Sequence, residues 1–220
     1  MSSKEELTLY HYWRSSSSWR VRWALEIKEV PCKLHTINLL ENEQTHEEYL
    51  QKNPMGQVPC LQIGNTYFSE SLAIIEWLEE NYPHPHLLPA DPKERMLVRS
   101  LAQIIASDTQ PLQNLHAQRY YSKDEKKRKE YAQYWIRRGL NAYESTLKQY
   151  SSSTSNYSVG QYLTTADLCL IPQCYNALRF EVNLNEFPLI EKIYQYCINT
   201  DTCKASHPDQ YAPGHSQRTK

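Results

Sequence analysis

The chain has 220 residues, 40% of them hydrophobic, enough for one compact unit with a substantial core or two small domains, and too apolar for disorder throughout. Twenty-four basic residues against 25 acidic ones leave a formal charge of -1, and nothing in that balance suggests a nucleic-acid or membrane-surface partner. The opening MSSKEELTLY has no apolar stretch of an export signal and no run approaches the ~18 to 20 residues of a membrane span, so a cytoplasmic protein is expected.

In chain order, the first half alternates strand-like and helix-like segments. A strand over 8–12 leads into the run Ser15–Ser18 and a helix over 18–28. A strand over 32–37, a short helix near 45–52, strands over 59–63 and 66–68 and a helix over 71–82 complete a small α/β domain. On the first helix Val21, Ala24, Leu25 and Lys28 share one face and Trp19, Trp23 and Ile27 a neighbouring one, so it is expected to touch both a sheet and another domain. Gly64-Asn65 marks a hairpin turn.

After Tyr82 the stretch PHPHLLPADP places four prolines in ten residues, which reads as an extended connector. Beyond it the apolar period is helical over 92–118, 124–149, 164–180 and 188–199, with a serine-rich surface loop at 151–156. The expected organisation is an α/β domain over 7–83, a linker over 84–92 and an all-helical domain over 93–210. Thr164-x-x-Asp167 reads as a capping box, and the basic run Lys123–Lys129 as a solvated helix start. Six cysteines without a C-x-x-C or paired metal spacing indicate neither a zinc site nor a disulfide framework, and no metal is expected.

Three stations recur at strand ends, where a small α/β domain gathers a ligand site: Ser15–Trp19, Gln57-Val58-Pro59 and Glu70-Ser71. Ser15, Ser16, Ser17 and Ser18 would set hydroxyls and free N–H groups at a helix N-terminus, where partial positive charge favours an anion, a thiolate included. A plain N-cap, which needs only one hydroxyl, is the alternative. A cis proline at Pro59 would leave the Val58 N–H and C=O for an extended peptide. Ser71 as N-cap would share its amide with a ligand carboxylate while Glu70 holds an ammonium, with a capping pair alone as the alternative.

Five motifs in register give these stations a family. Ser15-Ser-Ser-Ser-Trp-Arg-Val-Arg22 resembles S-S-C-x-W-R-V-R of the zeta class of glutathione transferases, which includes the maleylacetoacetate and maleylpyruvate isomerases. Asn53-Pro-Met-x-Gln-Val-Pro59, Ser71-Leu-Ala-Ile-Ile-Glu76, Gln110-Pro-Leu-Gln-Asn114 and Ala166-Asp-Leu-Cys-Leu-x-Pro-Gln173 with Asn176-Ala-x-Arg-Phe180 carry the rest, over roughly residues 7 to 208.

The resemblance implies a thioredoxin-like glutathione domain followed by a helical domain that supplies most of the substrate pocket, assembled as a homodimer. It implies that Ser15 stabilises the glutathione thiolate, with Ser16 and Ser17 on the same turn, and that Val58 pairs with the cysteinyl backbone, with Gln57 and Pro59 in the same cofactor site. Glu70 and Ser71 would hold the γ-glutamyl end, and Gln44, Gln110 and Asn114 the rim. The implied reaction is thiolate addition to the cis double bond of a dicarboxylic enone, bond rotation and elimination. A cation for the substrate carboxylates is then wanted, and Arg179 is the candidate, against a structural pairing with Glu181 or Asp167. Ser17 stands where the family usually has cysteine, which argues against a dehalogenase needing a second thiol and keeps maleylpyruvate open beside maleylacetoacetate. A general transferase acting on α-haloacids and a non-catalytic glutathione-binding module are the rivals.

Overall fold

The computed structural model describes residues 6–150 and 155–214. It divides into two compact units, one built from the chain up to Pro85 together with the segment from Asp201, the other from His86–Thr200. Among the described residues no helix is long and apolar enough to cross a membrane.

In the first unit, β1 (Leu7–His11) buries every second side chain, Leu7, Leu9 and His11, as a strand with one face on a core must. α1 (Ser16–Ile27) follows, then β2 (Lys33–Thr36), which pairs parallel with β1 so that Leu9 lies opposite Leu34. A 3₁₀ turn at Glu43–Thr45 and the short α2 (Glu47–Leu50) lead to β3 (Cys60–Ile63) and β4 (Thr66–Ser69), both antiparallel. Their two-residue turn starts at Gly64, whose φ of 57° is open to glycine at no steric cost. α3 (Ser71–Asn81) closes the run, and the four strands lie in the order β2-β1-β3-β4, a thioredoxin-like mixed sheet.

The buried Lys28 secures the end of α1. Its ammonium donates to Glu79 Oε2 at 2.7 Å, to the Tyr82 carbonyl at 2.6 Å and to the Pro85 carbonyl at 3.0 Å, so one cation serves the last turn of α3 and the segment beyond it.

The second unit contains α4 (Pro92–Ala106), α5 (Gln110–Gln113), α6 (Leu115–Tyr121), α7 (Glu125–Tyr150), α8 (Thr165–Arg179) and α9 (Pro188–Cys197). Asp91 caps α4, accepting from the N–H groups of Lys93 and Glu94 at 2.9 Å, with Pro92 in the first turn where its missing N–H costs nothing. The single helix expected over 92–118 is three helices. Pro111 cannot extend α4, and Thr109 turns inward, its hydroxyl donating to the Ile104 carbonyl at 2.6 Å. Gly139 of α7 makes room for that turn: a Cβ there would lie 1.9 Å from Thr109 Oγ1.

The capping residues of α8 are as expected, with a difference in detail. Asp167 accepts from the Thr164 N–H at 2.9 Å, from the Thr164 hydroxyl at 3.0 Å and from the Ser158 N–H at 2.8 Å. The serine-rich loop at 151–156 lies outside the described residues over 151–154.

The chain then returns. α10 (Asp201–Ser206) and a 3₁₀ turn at Pro208–Tyr211 belong to the first unit, where the sequence reading had carried the helical domain on to residue 210. The Trp face of α1, expected to meet another domain, meets α10 of its own unit. Trp19 Nε1 donates to Ser206 Oγ at 3.1 Å and Trp23 Nε1 to Thr202 Oγ1 at 3.0 Å, bonds that tie two buried indoles to the returning segment.

Candidate functional site

The β1–α1 turn is stitched by its own serines. Ser15 is the N-cap of α1 and its Oγ accepts from the Ser18 N–H at 3.2 Å, while its own N–H donates to the Tyr12 carbonyl at 3.1 Å. Ser18, fully buried, accepts from the Tyr12 N–H at 3.3 Å. A capping hydroxyl that accepts still has its proton to give, so Ser15 can cap the helix and donate to an anion at once. Ser16 is buried and Ser17 half-buried, so the four hydroxyls are not equivalent.

Two arginines that sequence reasoning left without a role are buried behind this turn. Arg20 Nη1 lies 3.2 Å from Ser71 Oγ and 3.5 Å from Ser17 Oγ, and so joins the N-terminus of α3 to that of α1. Arg22 donates to the carbonyls of Tyr12 at 3.3 Å and Trp13 at 3.0 Å, and contacts His11 Nδ1 at 3.0 Å. Burial draws the Arg22 guanidinium down to about 10, still charged at neutral pH. Two helix N-termini and two guanidiniums in one unit make this turn a place for negative charge. The signal was present in the sequence: positions two apart cannot share a helix face, so Arg20 and Arg22 could not both lie on one solvated side.

The second station is Gln57-Val58-Pro59. The Gln57 carbonyl accepts from Tyr49 OH at 2.6 Å and Asn53 Nδ2 at 2.7 Å, and the Val58–Pro59 bond is cis. Neither the N–H nor the C=O of Val58 has a hydrogen-bond partner among the described residues, as an edge awaiting an extended backbone would present. Gln44, half-buried beside this loop, keeps its Oε1 buried and without a partner.

The third station differs from expectation. The N-cap of α3 is Glu70, not Ser71, which is the first helical residue and is buried. Glu70 has φ 70° and ψ 109°, a backbone conformation that costs a non-glycine residue about 1–3 kcal/mol. Its carbonyl starts the helix by accepting from the Ile74 N–H at 3.0 Å, and its side chain is exposed.

The remaining candidates belong to the helical unit. Gln110 opens α5 and Asn114 sits between α5 and α6 as N-cap of the latter, both half-buried. Their neighbour Gln113, also without a role in the sequence reading, forms a buried reciprocal amide pair with Gln173 of α8, at 2.9 and 2.8 Å. Arg179 ends α8, exposed, with Nη1 3.5 Å from Asn176 Oδ1 and its guanidinium 6.0 Å from the Tyr175 ring. The two carboxylates considered as its structural partners have other partners of their own: Glu181 pairs with Lys129 at 2.6 Å and Asp167 caps α8.

The thiols of the first unit are not activated. Burial pushes Cys60 up to about 11 and Cys32 and Cys203 up to about 12, which leaves these thiols protonated at neutral pH.

Comparison with known proteins places both halves of the chain. The glutathione S-transferase N-terminal domain family matches residues 9–86 and the glutathione S-transferase C-terminal domain family residues 110–203. The chain is 44% identical over 209 residues to a probable maleylacetoacetate isomerase 2 of Drosophila melanogaster, covering 94% of this chain and 90% of the relative. Among solved structures it is similar to the holo form of a maleylpyruvate isomerase, a bacterial zeta-class glutathione S-transferase, with TM-score 0.89, 37% identity, 95% of this chain and 100% of the other. It is similar also to the maleylacetoacetate isomerase of Anaeromyxobacter dehalogenans with glutathione in the active site, with TM-score 0.85, 38% identity, 97% of this chain and 99% of the other.

Proposed function

The chain belongs to the glutathione transferase family, in its zeta-class isomerase branch, and from that membership we propose that it is a glutathione-dependent cis–trans isomerase of a maleyl-type dicarboxylic enone, converting maleylacetoacetate to fumarylacetoacetate. The observation that carries this reading is the Ser15 turn, a capping hydroxyl with a proton to spare at a helix N-terminus backed by buried guanidiniums. The orphaned Gln44 Oε1 and the open backbone of Val58 fit a peptide-like cofactor.

Glutathione, when bound, supplies the thiolate that adds to the double bond, frees it to rotate and leaves again. The chain's part is to bind and to hold charge. Ser15 donates its hydroxyl proton to the sulfur, with Ser16 and Ser17 on the same turn. Val58 pairs with the peptide backbone, fixed by the clamped Gln57 carbonyl and Pro59. The Ser71 amide and hydroxyl, braced by Arg20, take a carboxylate, and Glu70 takes an ammonium. Gln44, Gln110 and Asn114 complete the cofactor's surroundings, and Arg179 holds a substrate carboxylate.

Maleylpyruvate is the second reading, favoured by Ser17 at the position where the family usually has cysteine. We further assign the protein to the cytoplasm and to a homodimer, as the family implies; five of its six free cysteines are buried and suit a reducing compartment. The test is product analysis with glutathione and each cis acid. Ser15→Ala should reduce turnover at neutral pH at least about tenfold and raise the pH at which bound glutathione develops thiolate absorbance. A thiol titration identical in the variant would move the role to Ser17 or to backbone amides.

A further inference from the structure

The 3₁₀ turn at Pro208–Tyr211 ends against the group that holds the Ser15 turn. Arg22 is a buried cation whose three acceptors are all neutral: two carbonyls and an imidazole, with no carboxylate among the described residues. One of those carbonyls, on Tyr12, also receives the Ser15 N–H, so Arg22 and the N-cap of α1 share an acceptor. What covers the guanidinium is Tyr211, with Arg22 Cζ 4.7 Å from the ring centroid. The same ring meets His11 edge-on at 5.8 Å and 83°.

Tyr211 is itself placed by the returning segment. Its hydroxyl donates to the Ala205 carbonyl at 3.2 Å. His207 packs edge-on against Trp19 at 4.9 Å, and α10 is bonded to both indoles of α1. Without the ring, the most favourable place for a guanidinium lacking a counter-charge is water, and a turn of Arg22 towards water releases both carbonyls.

We propose that the segment from Asp201 to Tyr211 is a strap that positions the Ser15 turn through Arg22, with Tyr211 as its positioning residue. The inference rests on the proposed role of Ser15 for its catalytic consequence, but not for its structural one, and the two are separable. Tyr211→Ala should speed hydrogen exchange of the amides over residues 12–18 while leaving β3 and β4 unchanged. It should lower kcat about 3- to 10-fold and shift the thiolate titration of bound glutathione upward, because the donor is misplaced rather than removed. Tyr211→Phe keeps the ring and should recover most of both effects.

Unchanged exchange over 12–18 in Tyr211→Ala would overturn the strap, whatever the activity. Equal damage from Tyr211→Phe would also overturn it, since the hydroxyl bond to Ala205 and not the ring over Arg22 would then matter. Ser15→Ala run alongside separates the two readings. If exchange loosens in Tyr211→Ala but Ser15→Ala leaves the thiol titration as in the wild type, the strap stands and the role of Ser15 falls.

Discussion

The β1–α1 turn and the break between α4 and α7 both carry residues assigned to glutathione, and they are held by opposite means. The turn is held by charge and hydrogen bonds supplied from nearby sequence: Ser15, Ser18, Arg20 and Arg22 lie within eight residues. The break rests first on shape, with Thr109 lodged where Gly139 has no side chain, and then on the hydrogen-bonded amide pair of Gln113 and Gln173, sixty residues apart. The two units therefore hold these residues by two kinds of support. One fails when a cation or donor is lost, the other when volume is added.

The largest effect expected of that contrast is at Lys28, whose ammonium serves three acceptors in the first unit. Lys28→Ala leaves Glu79 and two carbonyls without their cation and should cost about 3–5 kcal/mol, read from the urea midpoint. In the second unit the corresponding probe is Gly139→Ala. The new methyl would meet Thr109 at its Cβ, 2.8 Å away, as well as at its hydroxyl, so no rotamer relieves it. A loss of about 3 kcal/mol is expected, with a higher KM for glutathione because Gln110 moves with Thr109. If Gly139→Ala were neutral, the break would not be held by shape and the contrast would collapse.

Next in size is Arg179→Ala, which should raise the Michaelis constant for a dicarboxylate roughly 10- to 100-fold, the worth of a charge-assisted pair of about 1.5–3 kcal/mol. Binding of glutathione should hardly change, and Arg179→Lys should recover only part of the loss. A lower melting temperature with a wild-type Michaelis constant would make Arg179 a brace for α8. Smaller still is Glu70→Gly. Removing the side chain relieves a φ of 70° and should leave stability unchanged or raised by up to about 1 kcal/mol, while the KM for glutathione rises because the ammonium loses its carboxylate.

The same contrast explains what the sequence made legible. Every strand of the first unit and the N-cap role of Ser15 were readable, because alternation, the Gly64 turn and the serine run are local signals, whereas Ser71 was taken for the cap that is Glu70. The second unit's helices were readable by period, but the break inside 92–118 was not, although Pro111 stood there as a warning. The room for it is made by Gly139, twenty-eight residues on from Pro111, and no local window contains both. The return of the chain at Asp201 was hidden for the same reason: Trp19 and Trp23 announced a partner for α1, and only the fold says that it is α10. Arg20 and Arg22 were visible as residues but left without a role, because their acceptors are backbone carbonyls, a histidine and serines, which charge pairing along a sequence does not show.

The smallest effect tests the turn by protons. His11 is buried, and Arg22 can only donate, so Nδ1 accepts and the imidazole proton sits on Nε2, which has no partner among the described residues. Burial first, then the charge of Arg22 on α1 and His35 on β2, hold His11 well below the usual histidine value, with the Tyr211 ring on its remaining side. Because the folded value lies below the unfolded one, about 6.5, neither state holds the proton above that pH and the stability is fully present there. As the pH falls below about 6.5 the unfolded chain takes up a proton that the folded chain refuses, so stability is lost at up to about 1.4 kcal/mol per pH unit. His207, lowered by burial and by Arg22 against the opposing pull of Asp209, adds to the slope with the same sign. His11→Gln keeps an acceptor for Arg22 but does not titrate. Urea unfolding at pH 7.5 and 5.5 should therefore show the variant losing less stability than the wild type across that interval, by a difference on the order of 1 kcal/mol. Equal losses would mean that His11 takes its proton in the folded state as readily as in the unfolded one, and that the Tyr12 and Trp13 carbonyls alone hold Arg22 in place.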